Sequence, residues 1–227
     1  MPLNGSLSAS GALQGLYADD TLLVFDKPAG LLSVPGRGPD KQDCLASRVQ
    51  AVYADALVVH RLDMATSGLL LMARGASAQR ALSAAFAERA VTKRYMAVVD
   101  GTPPPASEQT DGGWQTIDLP IAVDWPRRPL RVVAASGQPS TTRWRALPGT
   151  DARWPHSTRL ELAPVTGRTH QLRLHLAAIG HPILGDALYA NPTQQARAPR
   201  LLLHASELAL THPVSGQALH FICPAPF

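Results

Sequence analysis

The apolar residues of this 227-residue chain come in short runs that are broken by glycine, proline and charged residues. Runs such as Leu69–Ala73 and Leu201–Leu203 fall far short of the roughly 18 residues that indicate a membrane-spanning helix. They suit buried strands and short helices instead. Because 45% of the residues are apolar, the chain is also too apolar to remain disordered. We therefore expect a soluble globular protein that does not insert into a membrane.

Strand-like segments outnumber helix-like segments and do not alternate with them. The predicted helices are Asp43–Tyr53, Ala76–Ala90 and His170–Ile179, the last with Thr169 as its N-cap and Gly180 as its stop. The predicted strands are Thr21–Asp26, Leu57–Val59, Ser67–Ala73, Arg94–Val99, Thr116–Val123, Leu130–Ala135, Ser140–Ala146, Thr158–Ala163, Leu201–Leu210 and Ala218–Ile222. This pattern predicts an α+β fold with a central, mostly antiparallel mixed sheet that is flanked by helices and loops.

The length of the chain favours one domain. Residues 1–14 are rich in Gly, Ser and Ala and predict a flexible tail, with structured sequence from near Leu16 and a single domain over residues 15–227. The segment Gly101–Gly113 contains three consecutive prolines. We interpret it as a surface loop rather than a linker, because about 100 residues on either side are too few for two sizeable cores.

Arginine supplies most of the positive charge, with 18 Arg and three Lys against 17 acidic residues. The stretch from Arg127 to Arg173 holds nine arginines and two acids, Asp151 and Glu161, for a local charge of +7. The planar guanidinium pairs with phosphate in a bidentate manner, so this stretch suits a phosphate-rich partner such as RNA. A solvated surface, or a genome whose base composition favours arginine codons, would explain the same pattern.

Motifs for cofactors and metals are missing from the sequence, which has no Gly-rich phosphate loop, no cysteine pairs at zinc spacing and no G-x-S-x-G elbow. His170, His175 and His181 are spaced by five and six residues, so a helix would point them apart and we expect no metal site. Cys44 and Cys223 suit a reducing compartment, and the N-terminus lacks an export signal. We therefore expect a cytoplasmic protein.

Two clusters of polar residues are candidates for a functional site. The first, His60–Gly68, separates two apolar strands, and its Asp63 is either a turn-capping carboxylate or a catalytic one. The second, Thr166–Arg173, ends a strand and opens a helix. Its Arg173 is unfavourably placed in the first turns of that helix, which predicts an anionic partner. The alternative for the second cluster is a solvated helix terminus.

These clusters and three other segments resemble pseudouridine synthases of the RluA family. The segments are, in the family's order, KPAGL (Lys27–Leu31), HRLDMATSG (His60–Gly68), KRYMA (Lys93–Ala97), GRTHQLRLHL (Gly167–Leu176) and GHPILGDALY (Gly180–Tyr189). SVPGR, DWPRRP and APRLLLHA further resemble the dual-specificity member of the family. The resemblance extends from about Leu16 to the C-terminus. The S4-like RNA-binding domain of many family members has no counterpart here.

The resemblance implies an enzyme that isomerises a uridine in RNA to pseudouridine without cofactor or metal. Asp63 would be the catalytic carboxylate, acting as a nucleophile at C1′ or as a base at C2′, and Arg173 its cationic partner. Tyr95 would stack on the uracil and help to remove the C5 proton. Arg61 would fill the space that the flipped base leaves. His60 would be a structural hydrogen-bonder more than an acid or base.

The resemblance also implies the partners of the protein. The substrates would be a hairpin of 23S rRNA and the anticodon stem-loop of tRNA, and we expect a monomer. Further substrate contacts would come from Thr66, Arg168, His170, Gln171, Arg127 and Arg128. A non-catalytic RNA-binding protein with the same basic surface is the alternative, and a metal-dependent hydrolase is a distant third.

Overall fold

A computed structural model describes residues 13–105, 111–149 and 152–227. In these residues the strands are β1 (Gln14–Ala18), β2 (Leu22–Lys27), β3 (Ala56–Val58), β4 (Ser67–Arg74), β5 (Thr92–Asp100), β6 (Gln115–Asp118), β7 (Ile121–Val123), β8 (Arg131–Val133), β9 (Thr141–Ala146), β10 (Ser157–Pro164), β11 (Leu203–Thr211) and β12 (Ala218–Ile222). The α-helices are α1 (Leu45–Gln50), α2 (Gly75–Ala87), α3 (Gln171–Ala178) and α4 (Pro192–Ala196).

The described chain forms two compact units. The first unit contains the described residues up to Lys93 together with His204–Pro226, and the second contains Arg94–Leu203 with Phe227. Most of the predicted N-terminal tail lies outside the described residues. Leu13, however, is already buried, and β1 begins at Gln14, slightly before the predicted start of the structured chain.

The sheet of the first unit has the strand order β1-β2-β4-β11, with β3 on β4 and β12 on β11. All of these pairs are antiparallel except β4 with β11. Strand β4 is buried from Ser67 to Ala73, as expected for a continuous apolar run that is covered on both faces. Helix α1 contacts β3, helix α2 contacts β3 and β4, and α2 buries Ala78 and Leu82. The chain enters β4 directly from the His60–Thr66 turn.

The second unit contains the antiparallel strands β5-β10-β9-β6 and a separate ribbon of β7 with β8. Side chains alternate between the two faces of this sheet. The register aligns Tyr95, Leu162 and Trp144 on one face. On the other face, the guanidiniums of three arginines lie 4.8–5.2 Å from the centre of the Trp114 ring, namely those of Arg94, Arg143 and Arg145.

The predicted α+β fold with a mostly antiparallel sheet is confirmed, and several boundaries differ. The predicted strand Thr116–Val123 is two strands, β6 and β7, because Pro120 lies between them and cannot donate to a ladder. The N-cap of α3 is His170 rather than Thr169, with a left-handed φ of 57°. Gly180 has a φ of 87°, which confirms its predicted role at the end of this helix. Among the described residues, no helix has the length and apolar character that a bilayer crossing requires.

Candidate active site

The loop that carries Asp63 lies in the first unit, between β3 and β4. Side chains fix the residues on both sides of Asp63. The Ser33 hydroxyl donates to the carbonyl of Leu62 at 2.7 Å and accepts from the Leu62 N–H at 3.1 Å. The ammonium of Lys27 donates to the carbonyl of Met64 at 3.2 Å and to two other carbonyls at 2.8 Å. The partly buried Asp63 is therefore held in place by its chain neighbours.

Lys27 and Ser33 are positioning residues that the motifs alone did not identify. Lys27 is completely buried, and the carbonyls of Pro28, Leu31 and Met64 satisfy its three donors, as burial of a charge requires. The only signal in the sequence was that both residues lie in segments that carried the resemblance, KPAGL and SVPGR. Their contacts show that these segments support the Asp63 loop.

Two other predicted contacts on this loop differ in exposure. Arg61 is exposed, which is compatible with an outside ligand. Thr66 is only 3% exposed, and its N–H donates to the carbonyl of Asp63 at 3.1 Å. Thr66 is thus part of the framework of the turn, and the substrate contact that the sequence predicted for it stays a prediction.

His60 is built into the first unit by its ring. Its Nε2 accepts from the N–H of Leu71 at 3.0 Å, and the ring stacks on Phe86 with centroids 4.5 Å apart. Burial, and to a lesser degree the charge of Lys93, lowers the pKa of His60 to about 3. The imidazole is therefore neutral at physiological pH. These contacts are those of a structural hydrogen-bonder and not of a substrate ligand.

In the second unit, the Gln171 amide joins the start of α3 to β9. Its Nε2 donates to the carbonyl of Thr141 and to the hydroxyl of Thr142, both at 3.0 Å. Its Oε1 accepts from the Thr166 hydroxyl at 2.7 Å and from the Arg168 N–H at 3.0 Å. All four hydrogen-bonding positions of the buried amide are thus used internally. The Gln171 side chain therefore holds the start of the helix in place, and the substrate contact that the sequence predicted for it stays a prediction.

His175 extends the same polar layer of α3. Its Nδ1 lies 2.9 Å from the hydroxyl of Thr142, and its Nε2 lies 2.9 Å from the carbonyl of Leu119. The ring is completely buried, and burial lowers the pKa of His175. The carbonyl of Leu119 can only accept, so Nε2 carries a proton.

Arg173 has a carboxylate partner within the second unit, Asp186. Its Nε donates to Oδ2 at 2.8 Å and its Nη2 to Oδ1 at 2.6 Å, with side-chain exposures of 5% and 0%. Asp186 Oδ1 also accepts from the N–H groups of Leu188 and Tyr189. The sequence predicted an anionic partner for Arg173 but named Asp63, and the helix-dipole argument gave no signal for Asp186. The GDALY segment of the resemblance contained it.

The residue before Asp186 must be a glycine. Gly185 has a φ of 75°, and a Cβ at this position would lie 1.9 Å from the carbonyl oxygen of Arg200. Any side chain would displace the backbone that presents the Asp186 carboxylate. Gly185 thus positions Asp186, and Asp186 in turn holds the Arg173 guanidinium.

Tyr189 links three residues of the second unit. Its hydroxyl lies 2.8 Å from His170 Nδ1 and accepts from the N–H of Arg131 at 3.0 Å. The guanidinium carbon of Arg173 lies 5.4 Å from the centre of the Tyr189 ring. The structure therefore brings His170 and Arg173 together around one ring. Arg168, by contrast, is exposed, and Tyr95 is partly buried on β5.

Arg127 and Arg128 lie on the loop between β7 and β8, and both are exposed. Arg127 pairs with the Asp124 carboxylate, with Nη2 at 2.6 Å and Nε at 2.7 Å from Oδ2. Arg128 Nε donates to the carbonyl of Trp125 at 3.2 Å. Each guanidinium thus has a fixed position within the loop and remains open to solvent.

The residues with metal-ligating atoms close together are Asp26, His204 and Cys223 in the first unit, whose atoms lie within 4.8 Å of one another. His204 Nδ1 lies 2.8 Å from the Ser67 hydroxyl, and its Nε2 lies 3.0 Å from the carbonyl of Cys223. Burial, aided by the Asp26 charge, raises the pKa of the Cys223 thiol to about 12. A metal would have to remove that proton and displace a bond of His204, so the chemistry fits a hydrogen-bonded core cluster better than a metal site.

Comparisons with known proteins agree on one family. A family model described as RNA pseudouridylate synthase matches residues 21–178. The dual-specificity RNA pseudouridine synthase RluA of Escherichia coli K12 is 46% identical over 93% of both chains, and that of Yersinia pestis is 46% identical over 93% of this chain and 98% of its own. Among solved structures, human RNA Pseudouridylate Synthase Domain Containing 1 matches with a TM-score of 0.77 at 27% identity, covering 100% of this chain and 87% of that one. This likeness confirms the fold that the sequence resemblance implied.

Proposed function

The chain belongs to the RNA pseudouridylate synthase family, and from that premise we propose that it isomerises specific uridines in structured RNA to pseudouridine. The observation that carries the proposal is the Asp63 loop, in which Ser33 fixes Leu62 and Lys27 fixes Met64. A chain that only binds RNA has no use for a carboxylate fixed in this way, since anionic groups repel phosphate. Relatives named as synthases favour the catalytic prediction over the non-catalytic one.

The proposed reaction moves one bond and adds no atoms. The glycosidic bond between N1 and C1′ breaks, the uracil turns in place, and C5 bonds to C1′ while its hydrogen moves to N1 by way of solvent. Asp63 serves as the anion at the sugar, either by attack on C1′ or as a base at C2′. Glycosidases that hydrolyse their substrates need two carboxylates, but one suffices here because the leaving base stays bound and water does not attack C1′.

Arg173 is the proposed partner of the Asp63 carboxylate. Asp186 takes the Nε and Nη2 edge of its guanidinium, and the Tyr189 ring lies against it. An arginine held on one edge presents its remaining nitrogen in a fixed direction, because the guanidinium is planar and rigid. In our proposal the guanidinium, held in this way, stabilises the negative charge of the Asp63 carboxylate. Tyr95 stacks on the uracil and assists removal of the C5 proton.

The proposed substrate is RNA in which the target base is stacked, so the enzyme has to flip it out. Base flipping costs a few kcal/mol, and the exposed Arg61 offsets part of that cost by entering the space that the base leaves. Arg127, Arg128 and Arg168 are exposed and available to phosphate groups. His170, which lies beside Tyr189, is a further proposed substrate contact. We propose that both units act together as one catalytic domain, because the family match spans parts of each.

The proposed targets are a hairpin in 23S rRNA and the anticodon stem-loop of tRNA, since the bacterial relatives are named as dual-specificity enzymes. RNA of this kind is recognised mainly through its shape and its splayed bases. We further propose that the protein acts as a monomer in the cytoplasm and needs neither metal nor cofactor.

Mapping of pseudouridine in total RNA from cells with and without the gene tests this function. We expect modified positions in both 23S rRNA and tRNA to disappear with the gene and to return with a plasmid copy. Loss in only one RNA class would limit the proposal to that class. An unchanged pseudouridine profile would refute it.

A further inference from the structure

Trp125 is the most exposed of the large apolar side chains on the second unit that the structure describes. Its exposed fraction is 66%, whereas Trp144 is buried and Trp114 and Trp154 are partly buried. An indole in water is unfavourable, and packing within the unit does not account for it. None of the roles assigned above involves Trp125. An exposed tryptophan beside arginines is typical of a surface that binds a partner.

The loop between β7 and β8 holds Trp125 in a defined position. At its base, the Asp124 N–H donates to the carbonyl of Leu130 at 3.2 Å, and Asp124 Oδ1 accepts from the Arg127 N–H at 3.3 Å. Arg128 bends back so that its guanidinium carbon lies 4.9 Å from the centre of the Trp125 ring. The Arg128 bond to the Trp125 carbonyl fixes this position. One face of the indole thus carries a guanidinium, and the exposed fraction leaves the other face to solvent.

The same loop is linked to the residues that hold Arg173. The first residue of β8, Arg131, donates its N–H to the Tyr189 hydroxyl, and the Tyr189 ring lies 5.4 Å from the Arg173 guanidinium. The Nε of Arg131 is buried and has no hydrogen-bond partner among the described residues. A rigid loop that presents an aromatic ring and cations is therefore connected, by two contacts, to the guanidinium that we propose acts in the reaction.

We infer that Trp125 stacks on an unpaired nucleobase of the RNA substrate, separate from the target uridine, and that Arg127 and Arg128 bind the phosphates beside that base. This inference rests on the proposed function, which supplies the RNA. Bases stack on aromatic side chains irrespective of sequence, and a neighbouring guanidinium adds cation–π attraction and pairs with phosphate. A planar ring backed by a cation matches a base in a single-stranded loop, whose faces are open, and does not match a base within a duplex.

Intrinsic fluorescence tests the inference directly, because stacking on a base quenches tryptophan. An RNA stem-loop with an unpaired loop is added to the wild-type protein, to Trp125→Phe and to Trp154→Phe, and the quenching of tryptophan fluorescence is measured. Trp154 is the matched control, since it lies in the same unit and also has an arginine, Arg153, at 4.5 Å from its ring. We expect Trp125→Phe to lose most of the RNA-dependent quenching and Trp154→Phe to retain it. Equal quenching in both variants would overturn the inference.

Affinity measurements with altered RNA identify the base. We expect Trp125→Ala to weaken binding of the stem-loop by about 5- to 150-fold, and Trp125→Phe to weaken it far less, because a phenyl ring still stacks. Each loop nucleotide is then replaced by an abasic one. When the abasic nucleotide is at the position that contacts Trp125, the RNA should bind weakly to wild-type protein. The Trp125→Ala substitution should then weaken its binding no further. If the affinity loss from the abasic nucleotide and the loss from Trp125→Ala add at every loop position, no base contacts Trp125 and the inference fails.

The outcomes also separate this inference from the proposed function and from a protein partner. Wild-type protein that forms pseudouridine, with Trp125→Ala binding RNA as tightly as wild type, would refute the inference alone. Trp125-dependent quenching in a protein that forms no pseudouridine would support the binding surface and refute the catalytic proposal. A Trp125 signal that responds to protein concentration and not to RNA would show self-association and would overturn the inference.

Discussion

The Arg173 guanidinium is almost excluded from solvent, and its bidentate contact with Asp186 balances its charge. A pair of this kind is costly to break, because the remaining charge stays buried without compensation. Asp186 Oδ1 also accepts from two backbone N–H groups, so four N–H donors hold this carboxylate. In the proposed reaction, this arrangement gives Asp186 a positioning role that acts through Arg173.

The first prediction concerns Asp186→Asn. The amide keeps the volume of the side chain but places an NH2 group against guanidinium donors. We expect the free energy of unfolding to fall by about 3–5 kcal/mol and kcat to fall with it. Urea denaturation and single-turnover kinetics measure the two effects. Asp55→Asn is the control, because Asp55 pairs with Arg74 at 3.1 Å while being 46% exposed. An Asp186→Asn protein as stable as the Asp55→Asn protein would contradict the assigned role.

The second prediction concerns acidification and His60. Its folded pKa is about 3, so below pH ~6.5 the unfolded chain takes up a proton that the folded chain does not. The stability due to the neutral ring is complete above that pH and falls as the pH drops, by up to about 1.4 kcal/mol per pH unit. The free-energy difference between wild type and His60→Gln should therefore shrink between about pH 7 and pH 5. A difference that is constant over this range would show that folding does not lower the pKa of His60, which would contradict the prediction.

At the scale of the elements, α3 illustrates what the sequence could predict. The spacing of Leu172 and Leu176 predicted a helix with one apolar stripe, and Gly180 predicted its end. In the structure the first six residues of α3 are all buried, including Gln171, Arg173 and His175. Their partners come from other strands and loops, and single-sequence periodicity carries no information about such partners. The helix was therefore predictable, but its polar contacts were not.

The ends of elements were less predictable for similar reasons. Thr169 has the side chain of a good N-cap, yet His170 takes the cap position in a left-handed conformation next to Tyr189. Helix α4 was not predicted, because Pro192–Ala196 has no apolar stripe and depends on a capping box of Asn191 with Gln194. Strand β1 was missed because the Gly-rich start of the chain masked a short strand that pairs with β2.

The third prediction contrasts two residues at the start of α3, Gln171 and Arg168. Gln171→Leu leaves the buried hydroxyl of Thr166 and the N–H of Arg168 without their acceptor, so we expect a loss of about 2 kcal/mol or more in the free energy of unfolding. Arg168→Ala removes an exposed side chain. We expect it to leave unfolding unchanged and to weaken RNA binding, most at low salt. A Gln171→Leu protein of normal stability that binds RNA weakly would contradict this structural role and favour the predicted substrate contact.

At the scale of the whole molecule, the charge of +7 between Arg127 and Arg173 overstates the field that a partner meets. Asp124 pairs with Arg127 from just before this stretch, and Asp186 pairs with Arg173 from after it. Counting charges along the sequence misses such pairs because they depend on the fold.

The motifs predicted the family correctly, since they describe residues that the chemistry requires in a fixed order.

The loop around Asp63 provides the central claim, that this carboxylate performs the isomerisation. The direct measurement is the release of tritium from a stem-loop RNA labelled at C5 of its uridines, because C5 loses its hydrogen when it bonds to C1′. We predict that wild-type protein and Asp40→Asn, a variant at an exposed aspartate, release tritium. Asp63→Asn should release none while its RNA affinity stays within a few-fold of wild type. Tritium release by Asp63→Asn at a rate near that of wild type would contradict the claim.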